Sequence, residues 1–274
     1  MAHRLVPLSS RSEPAFGELF AGSWPEFIFH DQAAKEYLDR RGAYFADLDF
    51  LLVDDGTRTD GGTRAGGSRA GGSRAGGSRS GSAQTGGERI VAAGWGVPLR
   101  WHGTVEDLPA GYTDSLARAV LGHESRVRPD TLVVMGGMVR TDEQGRGWAG
   151  RLVAAMRDLA VARGLRRVIA PVRPTAKVRY PLIPIESYAT WRRPDGEPFD
   201  PWLRTHVRLG GSIIGTAPRS QTMTGTVTEW ESWTGLPLPG SGDFVIPDGL
   251  STLRVDRLAD TGVYHEPNVW VRHR

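Results

Sequence analysis

Apolar residues follow two different periods along this chain, and the sharpest change from one to the other falls between residues 131 and 164. TLVVMGGMV at 131–139 is rich in β-branched residues, the pattern of a buried strand. Beyond it the apolar positions are Trp148, Leu152, Val153, Met156, Leu159 and Ala160, which is helical spacing. Arg163 and Gly164 close that helix with a basic last turn and a glycine stop. The same patterns predict a short first strand at 5–7, and one or two short helices at 18–29 around Phe20, Trp24, Phe27 and Ile28. A helix follows at 31–41, stopping at Gly42.

Strands are expected at 46–55 and 89–101, the second bent at Gly94-Trp95-Gly96, with a short amphipathic helix at 112–122. Gly136 and Gly137 interrupt the strand 131–139, which signals a bulge or a close backbone approach. A strand at 165–172 should run parallel to it as a right-handed crossover. Five prolines make 173–200 irregular, and a loop of that length in a compact domain usually serves function. A helix at 201–210 leads into a strand beginning at 211–215. The segments SIIGT, TMTGTVTEW, DFVIP, STLRVDR and PNVWVRH then read as β. The alternation of strands and helices predicts a mixed α/β fold.

At 274 residues and 39% hydrophobic the chain can bury a full core, so 1–274 is expected as a single domain with a β-rich extension at 216–274. Residues 56–87 form a Gly/Ser/Arg repeat that cannot bury a core and is expected as a flexible loop between two strands. The formal charge of +3 suggests a nucleic-acid partner until it is located: the repeat holds five arginines against one acid, Asp60, so the remainder is near neutral. Cysteine is absent, which excludes disulfides and a thiolate nucleophile. No stretch reads as a signal peptide or a membrane span, and a cytoplasmic protein is the expectation.

The chemistry concentrates at Gln144-Gly145-Arg146-Gly147-Trp148-Ala149-Gly150. A helix beginning soon after a strand presents unpaired N–H groups and the positive end of its dipole. Gly145 and Gly147 let an anion approach the backbone, and Arg146 adds a mobile positive charge, so the turn suits a diphosphate. It is literally GxGxxG, but its context differs from a dinucleotide site. Five residues separate Val139 from Gln144's neighbour Gly145, and no acid lies between 165 and 185 for a ribose.

Val139 followed by Gln144-x-x-Gly147-x-Ala149 resembles the Gln/Arg-x-x-Gly-x-Gly/Ala signature of the GNAT superfamily of acyl-CoA-dependent N-acyltransferases. The distance from Val139 to Gln144 matches as well, although a proline frequent two places after that valine is here Thr141. The resemblance covers roughly 46–215. It implies the GNAT fold, a central mixed and mostly antiparallel sheet flanked by helices. It also implies acetyl-CoA or another acyl-CoA as co-substrate, without a metal. The amides of Gln144, Gly145, Arg146, Gly147, Trp148 and Ala149 would hold the pyrophosphate. The strand at Met138 and Val139 would pair with the pantetheine arm and polarise the thioester carbonyl.

His206-Val-Arg208-Leu-Gly is similar to the family's Tyr-x-Lys-Leu-Gly-Phe, which places His206 where a tyrosine often protonates the departing thiolate. Tyr180 is its rival by distance from the preceding strand. The strand 131–139 carries no carboxylate, so the base comes from Glu186, Glu229, Glu231, His265, Glu266 or a water chain. His123-Glu124 lacks a second ligand at helical spacing, so a metal centre finds no support.

The function expected is acyl transfer from acyl-CoA to the amine of a small molecule, with specialised metabolism as a setting. Two alternatives stand beside it. One is a transferase taking its group from a carrier protein or aminoacyl-tRNA, motivated by the Arg-rich repeat. The other is a non-catalytic acyl-CoA-binding module. No membrane partner is expected, and a homodimer is left open.

Overall fold

The computed structural model describes residues 3–10, 22, 24–54 and 89–273. The repeat expected at 56–87 lies outside the described residues, as do Phe20 and Asp55. Among the described residues nine strands form one sheet: β1 (His3–Pro7), β2 (Phe50–Asp54), β3 (Arg89–Leu99), β4 (Thr131–Val139), β5 (Arg167–Val172), β6 (Ser212–Gly225), β7 (Gly242–Val245), β8 (Thr252–Asp256) and β9 (Thr261–Arg272). Their order is β1-β2-β3-β4-β5-β9-β8-β7, and β6 also pairs with β9. Among the described strands β4 and β5 alone run parallel; the other pairings are antiparallel. The mixed, mostly antiparallel sheet with flanking helices is the fold expected.

Six α-helices accompany it among the described residues: α1 (Gln32–Phe45), α2 (Tyr112–Glu124), α3 (Trp148–Ala162), α4 (Ile185–Ala189), α5 (Pro201–Arg208) and α6 (Val227–Thr234). Trp148, Leu152 and Met156 of α3 form a stripe that is almost fully buried against Phe50, Leu52 and Val91. Each such side chain contributes roughly 1.5–3 kcal/mol on leaving water. On β9, Val269 and Val271 pack with Ile185, Tyr188 and Leu203 of α4 and α5, while Trp270 between them packs with residues of α1 and α2. Side chains alternate across a strand, so α4 and α5 cover one face and α1 and α2 the other. Arg157 of α3 donates to the Leu209 carbonyl at the end of α5, which sets α3 on the α4–α5 face.

Several sequence expectations need correction. α1 does not stop at Gly42 but continues to Phe45, whose side chain is buried. That burial outweighs the roughly 1 kcal/mol cost of a helical glycine. Residues 46–48 are a 3-10 turn, and the strand begins at Phe50. Within TMTGTVTEW only the first four residues are strand. Thr226 and Glu229 form a reciprocal capping box that starts α6, and Trp230 is buried with its indole donating to the Gly262 carbonyl. The segment 173–200 is ordered, with a 3-10 turn at Lys177–Arg179, α4, and an Arg192–Pro198 bridge. Tyr180, Tyr188, Trp191 and Phe199 pack edge to face there and hold it. The expected 216–274 extension supplies β9, which lies between β5 and β6.

The feature that shapes the sheet is a bulge. Trp95 faces Gly136 and Gly96 faces Val134, so Met135 is an extra residue on β4. A Cβ on Gly136 would lie inside the Trp95 ring, so only glycine fits. Arg41 of α1 donates to the Gly96 carbonyl at 3.2 Å and forms a two-pronged pair with Asp49. Gly136→Ala should therefore destabilise the protein by about 1–3 kcal/mol through overpacking. Urea unfolding followed by tryptophan fluorescence measures it, and an unchanged midpoint would show that the bulge does not depend on this contact.

Candidate functional site

The parallel pairing of β4 and β5 lasts three residues: Thr131 with Arg167, Leu132 with Val168 and Val133 with Ile169. The bulge at Met135 begins immediately beyond. β4 continues to pair with β3 as far as Val139, so from Val134 onward its other edge has no strand partner among the described residues. A backbone edge left this way can accept an extended ligand as a strand would. Met138 and Val139 stand on this edge and are partly exposed.

After β4 the chain makes a 3-10 turn at Thr141–Glu143 and passes through Gln144, Gly145, Arg146 and Gly147, all exposed. Gly145 and Gly147 have φ of +77° and +80°, and a side chain at either would point into open space. Gly147 is the N-cap of α3, and no side chain caps it. The first-turn amides of Trp148, Ala149 and Gly150 therefore keep their donors for an anion, reinforced by the helix dipole. The Trp148 side chain does not join this cradle; it is buried in the α3 stripe.

Beneath the cradle lies a carboxylate that sequence patterns did not flag. Glu143 is almost fully buried. It pairs with Arg89 at 2.8 Å and Arg146 at 3.1 Å, and it accepts from the Trp148 indole at 3.2 Å. Arg146 is thus tethered, and the mobile charge expected there is corrected accordingly. Asp142 pairs with Arg89 and Arg140; the hydrogen bond from Arg140, and then the charges of Arg140 and Arg89, hold its carboxyl below the usual range. An acid in a polar turn reads as solvated; the signal available was the indole five residues on.

The sequence-chosen catalytic residues separate in space. Tyr180 packs in the cluster of α4, α5 and β5 that also receives Val134, at the start of the open β4 edge. Its phenol makes no hydrogen bond among the described residues. Glu186 is exposed on α4, whose inward positions are Ile185, Tyr188 and Ala189. His206 is buried on α5, its Nδ1 2.7 Å from Nε2 of His273. Burial, and then the neighbouring His273, lowers its imidazole to about 3. At neutral pH it carries no acidic proton to give, which argues against the thiolate-protonating role expected for it.

Among the other base candidates, Glu229 is occupied in the α6 capping box, and Glu231 accepts from the Leu238 amide. Glu266 is fully buried between Arg173 (2.5 Å) and the Tyr264 hydroxyl (2.5 Å), and burial raises its carboxyl. Beside it Lys177 donates to the carbonyls of Tyr180 and Leu250, and burial lowers its amine to about 8. His265 is half-buried against the Thr222 hydroxyl at 3.0 Å, its imidazole lowered by burial and then by Arg219.

Comparison with known proteins bears on this geometry. No family model matches the chain. It is 31% identical over 209 residues to the arginine N-acetyltransferase avaD of Aspergillus versicolor, a match covering 68% of this chain and 71% of that protein. The chain belongs to the GNAT superfamily. Two solved structures have the same fold across the whole chain, each with a TM-score of 0.51. One is the loading GNATL domain of CurA from Lyngbya majuscula, at 15% identity; the other is the GphF GNAT-like decarboxylase in complex with isobutyryl-CoA, at 16%. This GNAT protein is accordingly an acyl-CoA-dependent acyltransferase. No described helix is long and apolar enough to cross a membrane.

The histidine pair in this GNAT fold makes stability depend on pH. Burial and Arg157 lower His273 to about 4. Both folded values lie below the ordinary 6.5, so the unfolded chain takes up protons first as pH falls. The stability of the neutral pair is full above about 6.5 and is lost as pH falls through about 4 and then about 3. Thermal unfolding between those limits should be less pH-dependent in His273→Gln than in the wild type. Equal slopes would place the titrating groups elsewhere.

Proposed function

We propose that the chain transfers an acetyl group from acetyl-CoA to the primary amine of a small molecule of the amino-acid type, arginine foremost. The observation that carries this reading is the open, uncapped cradle at Gly145 and Gly147 beside the unpaired edge of β4. The similarity to an arginine N-acetyltransferase supplies the acceptor class. When bound, the thioester supplies an activated acyl group. The residues fit such a co-substrate: the amides from Gln144 to Ala149 would hold its diphosphate, and the backbone at Met138 and Val139 its extended arm.

Tyr180 would donate the proton to the departing thiolate, since its phenol is unengaged among the described residues and packs beside Val134 at the gap between β4 and β5. His265, whose imidazole burial and then Arg219 hold below its ordinary value, would accept the proton of the incoming ammonium. Glu186, on the outward face of α4, takes no part, and a cytoplasmic setting suits the reaction. The carrier-protein and tRNA alternative rested on the 56–87 repeat, and nothing among the described residues favours it.

Two experiments test this. Asn and Asp both tolerate the left-handed backbone at position 147, so Gly147→Asn and Gly147→Asp differ mainly in charge. Calorimetry should find CoA bound about tenfold or more weakly by the Asp variant than by the Asn variant, from charge repulsion in the cradle. Equal affinities would move the diphosphate elsewhere. Tyr180→Phe should lower kcat by about a hundredfold with little change in KM, the loss expected of a general acid. An unchanged kcat would remove Tyr180 from that role.

A further inference from the structure

Two of the 34 basic residues in the chain are lysine, Lys35 and Lys177; the rest are arginine. Lys35 is exposed on α1, whereas Lys177 is almost fully buried. The chain thus uses arginine for its cations nearly everywhere and turns to lysine at one interior position. A guanidinium is planar, spreads its donors and keeps its charge at any pH the protein meets. An ammonium gathers its donors on one atom and can give up a proton.

The surroundings of Lys177 draw on both properties. Its Nζ donates to the Tyr180 carbonyl at 2.7 Å and to the Leu250 carbonyl at 2.6 Å. The first bond spans the 3-10 turn Lys177–Arg179, and the second fastens that turn to the β7–β8 connection. The amine also lies over the ring of Tyr188 on α4, 5.7 Å from its centre, which is a cation–π distance. Burial lowers the amine to about 8, while Glu266 on β9 supports its charge.

The charged and titratable groups packed around it do not change state with it. Arg173 holds Glu266 at 2.5 Å and stays charged. The phenols of Tyr188 and Tyr264 are pushed up, by burial first, so both keep their protons where Lys177 loses its own. They donate to Asp200 at 2.8 Å and to Glu266 at 2.5 Å. Of the two cations Arg173 and Lys177, the lysine alone can lose its charge, and it is the one that holds the Tyr180 backbone. Deprotonation turns two charge-assisted bonds into neutral ones of about half the strength and removes the attraction of the Tyr188 ring.

We propose that Lys177 is a positioning residue: its protonated amine fixes Tyr180 at the gap between β4 and β5, and loss of that proton slows turnover on the alkaline side. The inference rests on the assignment of Tyr180 as proton donor and goes beyond it by naming what holds that residue and what releases it.

The test follows kcat with saturating acetyl-CoA and L-arginine from about pH 7 to about pH 9.5. Beside it, NMR of protein labelled selectively in lysine follows the two lysine amines, Lys35 and Lys177. As Lys177 titrates, kcat should fall by about tenfold, the scale of a small misplacement of a reacting group, with KM for acetyl-CoA within about twofold. Lys177→Met, which keeps the length and removes the charge, should show the lower kcat already at about pH 7 and no further fall. Calorimetry should find its CoA affinity unchanged. Combined with Tyr180→Phe it should cost little more, because the tether acts through the phenol. A wild-type kcat that stays level while Lys177 loses its proton overturns the proposal, and that measurement needs no variant. So does an alkaline fall that survives in Lys177→Met, or losses that add in the double variant. Should Tyr180→Phe alone leave kcat unchanged, the proton-donor reading fails and takes the tether with it. A lowered kcat in Tyr180→Phe beside a level wild-type profile sinks the tether and leaves that reading standing.

Discussion

The contact of the Trp95 ring with the bare backbone of Gly136 sets the shape of the sheet on which the site depends. It coincides with the extra residue Met135 on β4, and a bulged strand bends and twists more strongly than a regular one. β4 keeps its pairing with β3 through this bend, so it is β5 that it leaves. One support holds the distortion: the Arg41–Asp49 pair reaches the Gly96 carbonyl. A buried ion pair is weak evidence of net stability, but removing one partner strands the other charge. Its value here is geometric: it fixes where the sheet opens. An opening in a sheet is reachable from its faces, and α3 with its uncapped first turn lies on one of them.

The cradle combines a simple electrostatic design with one internal opponent. Uncapped amides and a helix dipole favour an anion, yet Glu143 buries a carboxylate directly beneath. The opposition is balanced locally, because Arg89, Arg140 and Arg146 surround Asp142 and Glu143 with one more positive charge than negative. What Glu143 supplies is position. It joins the first residue of β3, the turn and the first residue of α3 through three hydrogen-bonded groups. A loop with two left-handed glycines would otherwise be free to sample many conformations, and preorganised donors bind at lower entropic cost.

Local patterns in the sequence were enough for the elements that carry this site. β4 appears at the residues its β-branched run marks, and α3 starts at Trp148 where the period changes. The Gly136–Gly137 interruption marks the bulge. What escaped is non-local. Glu143 acquires its meaning from Arg89, and His206 from His273 at the far end of the chain; neither partner has any sequence mark. Pattern names strands without naming their neighbours, so the placement of β9 between β5 and β6 could not be read. In 227–234 the β-branched residues favoured strand, but the Thr226–Glu229 capping box and the burial of Trp230 decided for helix. In 173–200 the prolines suggested irregularity, whereas packed aromatic rings order the segment.

The C-terminal elaboration is bound into the site through buried polar groups. From β9, Glu266 holds Arg173 just past β5, and Arg173 donates onward to the Asp248 carbonyl in the β7–β8 connection. Two residues along that connection, the Leu250 carbonyl accepts from Lys177, which also holds the Tyr180 carbonyl at 2.7 Å. The Tyr264 hydroxyl accepts from the Leu250 amide and donates to Glu266, which closes the network. Burial lowers the Lys177 amine while Glu266 supports its charge, so the lysine depends on both carbonyls and on that carboxylate. Without the β7–β8 connection, Lys177 would lose one of its two acceptors and Arg173 one of its partners. The backbone at Tyr180 would then lose the tether that fixes it against the gap. The position of a side chain on the donor face is in this way set by strands and a connection far later in the chain, and the extension acts as part of the enzyme's frame.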